Sequence, residues 1–195
     1  MENLGLGIYE FSIKKLEGGE VGISEYKNNV LLIVNVASRC GFTPQYEQLE
    51  KLHLKFDGKE LSILAFPCND FADQEPGSER EIREFCDHRY GVTFDMYGKV
   101  KIRGGDAHPL YNYLEGLLFP VVRPKGLKAK LFQVFTLLMF WLKERRSPHV
   151  GEVEWNFHKF IIGKNGHLVG HFSSDCDPFD PQLMACIEGE LREKN

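Results

Sequence analysis

Runs of apolar residues divide the chain into segments that are typical of buried strands. Residues 30–36 (VLLIVNV) and 61–66 (LSILAF) are nearly continuous apolar runs, as expected of strands covered on both faces. Residues 8–26 hold two shorter segments on either side of the Gly18-Gly19 turn. The pattern therefore predicts an N-terminal hairpin and two buried central strands.

Helices are predicted where apolar residues recur at helical spacing. After the first buried strand, Thr43 is expected to cap a helix and Pro44 to occupy its first position. The apolar face of this helix is formed by Tyr46, Leu49, Leu52 and Phe56. After the second strand, Ser78 and Glu81 predict a capping box at the start of another helix. One face of that helix carries Ile82, Phe85 and Cys86.

The C-terminal part of the chain adds a hairpin and a last helix. Residues 156–162 and 168–172 flank Lys164-Asn165-Gly166, a hairpin turn signal, and residues 181–191 are predicted to form a closing helix. This order of strands and helices implies a mixed sheet with helices on both faces. We therefore predict an α/β protein with a thioredoxin-like fold, an N-terminal hairpin and a helical insertion at about 116–151.

Composition and charge restrict the possible function classes. The 195 residues are 43% hydrophobic and 27% charged, which suits one globular domain over residues 1–195. The formal net charge of −4 argues against nucleic-acid binding, which requires a basic face, and favours a small-molecule substrate. The N-terminal sequence MENLGLGIYEFS lacks the basic and apolar regions of a secretory signal, so a cytoplasmic location is predicted.

The cysteine pattern argues against two structural uses of thiols. The chain has five cysteines, an odd number, and none forms a CxxC pair. Neither a disulfide framework nor a zinc site is therefore indicated, and no metal or cofactor is expected. Reactive thiol chemistry remains open.

Cys40 is the first candidate for such chemistry. It lies in NVASRCGFT, between a buried strand and a helix, where backbone N–H groups point outward. A helix N-terminus stabilises a thiolate by roughly 0.3 to 1 kcal/mol, and nearby cations or hydrogen-bond donors lower the pKa of a cysteine further. Position alone leaves the alternative that Cys40 is a small buried apolar residue.

Three separated blocks of the sequence resemble the glutathione peroxidase family and follow the order seen in that family. They are NVASRCGFTPQYEQLEKL, FPCNDFADQEPGS and EWNFHKFIIGKNG. The resemblance covers most of the chain. It implies that Cys40 is the peroxidatic residue, with cysteine in place of selenocysteine, and that Gln74, Trp155 and Asn156 complete a catalytic tetrad. The substrates would be hydrogen peroxide and organic or lipid hydroperoxides.

These residue types suit the chemistry that the resemblance implies. Peroxide cleavage needs a thiolate and hydrogen-bond donors, and the side chains of Gln74, Trp155 and Asn156 can all donate. Taken singly, each has a structural alternative, since Gln74 could order a turn, Trp155 could pack in the core and Asn156 could begin a strand. The joint match to the three blocks favours the catalytic roles.

Cys86, in EFCDHRYGVTF, has a position that resembles the resolving cysteine of the family's thioredoxin-dependent members. The implied cycle forms a sulfenic acid on Cys40 and then a Cys40–Cys86 disulfide, which an external dithiol reduces. Packing on the apolar face of its helix is the alternative for Cys86.

The other cysteines, Cys68, Cys176 and Cys186, are assigned no chemistry. Asp70 departs from the family pattern, in which many members carry glutamine at this place.

Residues 116–151 are the larger departure. Between residues 116 and 150 the net charge is +6 in a chain of net charge −4, so the remainder carries −10. Residues 131–142 (LFQVFTLLMFWL) are apolar apart from Gln133 and Thr136 and predict a helix of about 18 Å, shorter than the roughly 30 Å hydrocarbon core of a bilayer. Basic flanks around such a helix are typical of an interfacial membrane contact. Burial against its own domain, or at a subunit interface of a homo-oligomer, is the alternative.

The leading functional hypothesis is a thioredoxin-dependent hydroperoxide reductase. Glutathione is the alternative reductant, although no site for an anionic tripeptide is evident in the sequence. Two further hypotheses are a peroxide sensor, in which oxidised Cys40 passes its disulfide to a client protein, and a peripheral membrane-binding module with vestigial peroxidase activity.

Overall fold

The computed structural model describes residues 7–193, and helices and strands cover about half of them. The strands are β1 (Ser12–Lys14), β2 (Glu20–Gly22), β3 (Val30–Val36), β4 (Leu61–Pro67), β5 (Asp95–Met96), β6 (Lys159–Ile162) and β7 (Leu168–Phe172). The helices are α1 (Gln45–Lys55), α2 (Glu79–Tyr90), α3 (Pro109–Gly116), α4 (Leu127–Glu144) and α5 (Pro181–Arg192). Residues 1–6, on which the prediction about a secretory signal partly rests, lie outside the described residues.

Five strands form one mixed sheet in the order β5-β4-β3-β6-β7. Strand β3 is at its centre, parallel to β4 and antiparallel to β6. Strands β1 and β2 form the separate antiparallel hairpin that the sequence predicts. The predicted mixed sheet flanked by helices is confirmed.

The core lies around β3, whose seven residues are all buried. Strand β4 contributes a second buried run, and α1 packs its apolar face on the sheet through Tyr46, Leu49 and Leu52, which are fully buried. Removing such side chains from water is the main favourable contribution to folding. Because β3 is enclosed on both faces, the residues that follow it emerge from the core at a fixed place.

The start of α1 differs from the prediction in two respects, since Pro44 is the N-cap rather than the first helical residue and Thr43 does not cap the helix. Helix α1 begins at Gln45, Pro44 is its N-cap, and no side chain caps it. Thr43 Oγ1 instead accepts the Cys40 N–H at 2.9 Å and donates to the Ala37 carbonyl at 2.8 Å. The predicted capping role of Thr43 is therefore wrong, because its hydroxyl closes the preceding turn.

Helix α2 begins with the predicted capping box. The Glu81 N–H donates to Ser78 Oγ, and the Ser78 N–H donates to the Glu81 carboxylate. The helix ends at Gly91, which has a left-handed φ of 60°. Ile82 and Cys86 are its buried residues, Phe85 and Tyr90 pack on the core while partly exposed, and six of the twelve residues of α2 are exposed.

The strand predicted to begin at Asn156 begins three residues later, at Lys159. Phe157 has a φ of 69°, a left-handed conformation that a strand cannot contain. Residues 155–158 therefore form an irregular segment that lies against β3. Strand β5 and helix α3 have no counterpart in the sequence-based prediction.

The insertion contains one helix, α4, that packs on the body through Phe132, Thr136, Met139 and Phe140. Most of its other apolar side chains are exposed. Within residues 7–193 no helix is long and apolar enough to cross a bilayer.

Candidate active site

Cys40 lies in the tight turn that joins β3 to α1. Its side chain is almost buried, with 7% of its surface exposed. The Thr43 hydroxyl fixes the turn, and the Phe42 N–H points at the sulfur, with 3.4 Å between nitrogen and Sγ. The turn thus holds the thiol at the end of the central strand, where the chain leaves the core.

Burial raises the pKa of the Cys40 thiol above its ordinary value. The Phe42 N–H, the Trp155 indole and the Gly41 N–H each act in the opposite direction. The sequence predicts that donors would lower this pKa; they are present, but desolvation outweighs them. A thiolate at this position depends on the donors that surround it.

Gln74 is presented by the loop between β4 and α2. Ala72 and Asp73 have left-handed φ values of 54° and 51°, which turn the chain sharply before Gln74. The Arg39 N–H donates to the Gln74 carbonyl at 3.0 Å. The loop is therefore attached to the residue that immediately precedes Cys40.

Trp155 and Asn156 come from the irregular segment before β6. Trp155 is 7% exposed, and its ring contacts those of Phe71 and Phe135, with centroids 6.1 and 5.2 Å away. Asn156 is fully buried. The neighbouring positive φ of Phe157 allows the two consecutive side chains to take up different surroundings.

A directed chain of side-chain amides runs from β3 to Gln74. Asn35 Nδ2 donates to Asn156 Oδ1 at 3.4 Å, and Asn156 Nδ2 donates to Gln74 Oε1 at 3.2 Å. At the other end, Asn35 Oδ1 accepts the His158 N–H at 3.0 Å. The bond to Oε1 fixes the orientation of the Gln74 amide, whose Nε2 group is its hydrogen-bond donor.

The structure thus joins the predicted tetrad in two pairs. Trp155 lies beside the Cys40 sulfur, and Asn156 bonds directly to Gln74. The peptide bond between Trp155 and Asn156 and the Arg39 to Gln74 hydrogen bond connect the pairs. All four residues are located where β3 ends.

Cys86 is not joined to this group. It is fully buried on α2, and both it and Cys40 are free thiols. Burial raises the pKa of Cys86 to about 12, so the thiol is protonated at neutral pH. Hydrogen bonding to Tyr46 acts in the opposite direction but does not compensate.

Sequence reasoning overlooked two residues that build the site. Asn35 is the one polar residue in the run VLLIVNV, and that isolation was the available signal. Glu75 accepts both the Ser38 N–H and the Ser38 hydroxyl, at 2.8 and 3.0 Å. Desolvation raises the pKa of Glu75, although Ser38 opposes this shift. Glu75 anchors the Cys40 turn to the Gln74 loop.

Asp70, the departure from the family pattern, has a structural role in this chain. Its carboxylate accepts the backbone N–H groups of Ile102 and Arg103, at 2.6 and 3.0 Å. Its carbonyl accepts from Lys143 Nζ of α4 at 2.6 Å. Asp70 therefore connects the Gln74 loop both to the body and to the insertion.

Helix α4 forms one wall beside the site. The Phe132 ring contacts that of Phe42 edge to face, with centroids 4.9 Å apart, and Phe135 contacts Trp155. A cavity of about 210 Å³ lies between α4 and the Gln74 loop and is bordered by Trp155. The surroundings of the thiol are thus aromatic on this side.

Within residues 7–193, no cluster of His, Cys, Asp or Glu could hold a metal ion.

Comparison with known proteins finds relatives that share the glutathione peroxidase description. The family model for glutathione peroxidase matches residues 8–115. The glutathione peroxidase homolog of Neisseria meningitidis is 40% identical over 187 residues, 96% of this chain and 98% of that protein. The thioredoxin/glutathione peroxidase BtuE of Escherichia coli is 39% identical, over 90% of this chain and 92% of its own length.

Two further relatives extend the comparison. The hydroperoxy fatty acid reductase of Synechocystis is 37% identical over 93% of this chain and 94% of that protein. The crystal structure of Trgpx in its apo form superposes with a TM-score of 0.65 at 28% identity, covering 97% of this chain and 98% of that one. The likeness extends over nearly the full length in each case, and the thioredoxin-like fold predicted from the sequence is confirmed.

Proposed function

The chain belongs to the glutathione peroxidase family and is a peroxidase, and we propose that it reduces hydroperoxides with Cys40 as nucleophile and Cys86 as resolving thiol. The observation that carries the proposal is that the Gln74 loop is bonded to the Cys40 turn through the Arg39 N–H and to Asn156 through its side-chain amide, so the four tetrad residues belong to connected segments at the end of β3. The arrangement combines a nearly enclosed thiol with several fixed hydrogen-bond donors.

In the first step, the Cys40 sulfur attacks the terminal oxygen of the hydroperoxide and the O–O bond breaks. The products are a Cys40 sulfenic acid and an alcohol, or water when the substrate is hydrogen peroxide, and the thiol proton ends on the leaving oxygen. The Phe42 N–H and the Trp155 indole stabilise the thiolate that attacks. Gln74 Nε2, oriented by Asn156, donates to the oxygen that acquires charge.

In the second step, the Cys86 sulfur displaces water from the Cys40 sulfenic acid and forms a disulfide. The two α-carbons must then lie within about 7 Å of each other. Cys86 is buried and protonated in the reduced protein, so part of α2 has to unwind to expose it. Six of the twelve residues of α2 are exposed and only two are fully buried, which favours such local opening.

An external dithiol then reduces the disulfide through a mixed disulfide and completes the cycle. We propose thioredoxin for this role, because one dithiol reduces the Cys40–Cys86 disulfide through a single mixed disulfide, whereas two separate monothiol molecules would have to attack in turn. Glutathione is the alternative, and the name of the Escherichia coli relative, thioredoxin/glutathione peroxidase, includes both reductants.

Coupled assays would identify the reductant. NADPH consumption is followed with a thioredoxin system and, separately, with a glutathione system, using hydrogen peroxide and a fatty-acid hydroperoxide. We expect rapid turnover with thioredoxin and slow turnover with glutathione. The reverse result would replace thioredoxin by glutathione. Stoichiometric oxidation without turnover in either system would favour a peroxide sensor that passes its disulfide to a client protein.

A further inference from the structure

The outward face of α4 is apolar, and we refer to its five central residues as the docking face. They are between 48% and 64% exposed: Leu131, Val134, Leu138, Trp141 and Leu142. The opposite side of the helix packs on the body through Thr136, which is only 1% exposed, and through Phe132, Met139 and Phe140. Helix α4 is thus apolar on its outward face as well as on its inner one, whereas an ordinary surface helix has a polar outward face.

Specific contacts hold the helix in this orientation. Thr136 Oγ1 donates to Glu154, which also pairs with Arg123. Lys143 Nζ donates to the Asp70 carbonyl on the same side of the helix. Rolling α4 to hide the docking face would break these bonds and leave the Glu154 carboxylate without its hydroxyl partner. The exposure is therefore built into the packing.

Phe140 adds an apolar anchor to the same inner side. It is 5% exposed and lies between the guanidinium groups of Arg103 and Arg146, which are 4.6 and 5.1 Å from its ring centroid. Phe132 also packs on the body, so neither of these two rings belongs to the docking face.

Positive charge surrounds the docking face. Lys125, Lys128 and Lys130 are exposed at the N-terminal end of α4, and Arg145 is exposed at its C-terminal end. None of these four residues has an ion-pair partner within the described part of the chain. Glu144 is the one acidic residue of α4, and it lies partly buried on the inner side. The exposed surface of α4 is thus apolar, and its exposed charges are all positive.

We propose that the docking face binds an anionic lipid surface. The apolar side chains would enter the boundary between headgroups and acyl chains, and the lysines would lie near the lipid phosphates. A helix of 18 residues is about 27 Å long and would lie parallel to the surface. A second copy of the chain fits less well, since pairing two docking faces brings like charges together without an acid to compensate them.

Docking would bring the active site to the lipid surface. Phe135, at the edge of the docking face, is 43% exposed and contacts Trp155. A hydroperoxide carried by a membrane lipid would then reach the site along this aromatic wall. This consequence rests on the proposed function, whereas the binding itself does not.

Vesicle co-sedimentation of the full chain tests the binding without any peroxide. The vesicles contain phosphatidylcholine alone or mixed with phosphatidylglycerol, at low and high salt. We expect binding to the mixed vesicles only, weakening as salt shortens the Debye length from about 10 Å at 0.1 M to about 3 Å at 1 M. Trp141 emission should shift to the blue on binding and should not change with neutral vesicles.

Variants separate the apolar contribution to vesicle binding from the electrostatic one. Leu138→Glu should weaken binding about tenfold, because it removes part of the apolar contact and adds a negative charge. Lys128→Gln combined with Lys130→Gln should weaken it roughly thirtyfold, at about fivefold per lysine. The matched control is Leu54→Glu, at a leucine of α1 that is 59% exposed outside the insertion, and it should bind as the original chain does. Circular dichroism and turnover of hydrogen peroxide confirm that each variant is folded.

Several results would overturn the proposal. One is no binding to mixed vesicles at low salt by a folded, active protein. Others are equal binding to neutral vesicles, or equal losses in Leu138→Glu and Leu54→Glu. Sedimentation velocity adds a further decisive outcome: a dimer that Leu138→Glu dissociates, with no vesicle binding, would assign the docking face to self-association.

Discussion

Asn35 and Asn156 are joined by a hydrogen bond in which Asn35 Nδ2 donates to Asn156 Oδ1 over 3.4 Å. Asn35 lies in the buried strand β3, whereas Asn156 bonds directly to Gln74. The orientation of the Gln74 amide is thus set from inside the core. The side chain of Asn35 bonds to Trp155, Asn156 and His158 rather than to the thiol, so we regard it as a positioning residue.

Replacing Asn35 by leucine should slow the oxidation of Cys40 about tenfold, because Gln74 loses its fixed orientation rather than its donor. The unfolding free energy should fall by about 1 to 3 kcal/mol, since the His158 N–H, Asn156 Oδ1 and the Trp155 carbonyl each lose a partner. Stopped-flow kinetics and urea unfolding measure the two effects. Asn29→Leu, which removes a hydrogen bond to Ser62 elsewhere on the sheet, is the control. An unchanged rate in a destabilised Asn35→Leu protein would limit Asn35 to a structural role.

Asn156→Asp should lower the rate of Cys40 oxidation by the 10²- to 10³-fold typical of a lost oxyanion donor. A carboxylate at this position cannot donate to Gln74 Oε1, so the Gln74 amide loses the bond that directs its Nε2 group. Gln74→Ala should have a comparable effect, and the double variant should be little worse than either alone. Additive losses would mean that the two amides act independently.

Cys86→Ser should keep a rapid first oxidation of Cys40 and lose turnover supported by thioredoxin. Serine preserves the volume of the buried side chain but cannot form the disulfide. Cys186→Ser is the matched control, because Cys186 is a partly buried thiol on α5 with no proposed role. Full thioredoxin-supported turnover in Cys86→Ser would remove Cys86 from the mechanism.

Elements with a strong local pattern were predictable from the sequence. The buried strand at 30–36, the apolar face of α1 and the Ser78 capping box all depend on nearby residues, and each is confirmed. Strand β5 has two residues and exists only through its pairing with β4, so no local signal marks it. Thr43 was misassigned because a hydroxyl can cap a helix or close a turn, and tertiary contacts decide between the two.

The site was only partly predictable, because it also depends on tertiary contacts that leave no local signal in the sequence. The resemblance suggested which residues belong together, but the amide chain through Asn35 depends on residues more than a hundred positions apart. The direction in which α4 faces was also beyond the sequence pattern. It depends on the bonds of Thr136 and Lys143 to residues outside the insertion.

A buried histidine pair should make the protein less stable in acid. His158 Nδ1 and His171 Nε2 are 3.0 Å apart. Burial lowers the pKa of His158 well below its usual range and that of His171 to about 4. The unfolded chain, with histidine near pH 6.5, binds more protons between about pH 6.5 and 4, so the unfolding free energy falls as pH decreases through this window. The loss from His171 is of the order of 3 kcal/mol.

Urea unfolding at several pH values measures this effect. Glu115, whose pKa burial raises to about 7, contributes with the opposite sign, so the comparison must be made between variants. The decrease between pH 7 and 4.5 should be smaller in His171→Phe than in the original chain. Identical decreases would show that the pair is not the source of the acid sensitivity.

The role of Cys40 is tested by finding which sulfur atom peroxide oxidises first. Cys86→Ser is treated with one equivalent of hydrogen peroxide and dimedone, the original chain is treated with peroxide alone, and both are mapped by peptide mass spectrometry without reductant. We predict a dimedone adduct on Cys40 in the variant and a Cys40–Cys86 disulfide in the original chain. An adduct on another cysteine, or an original chain that turns over peroxide while Cys40 stays reduced, would contradict the central claim.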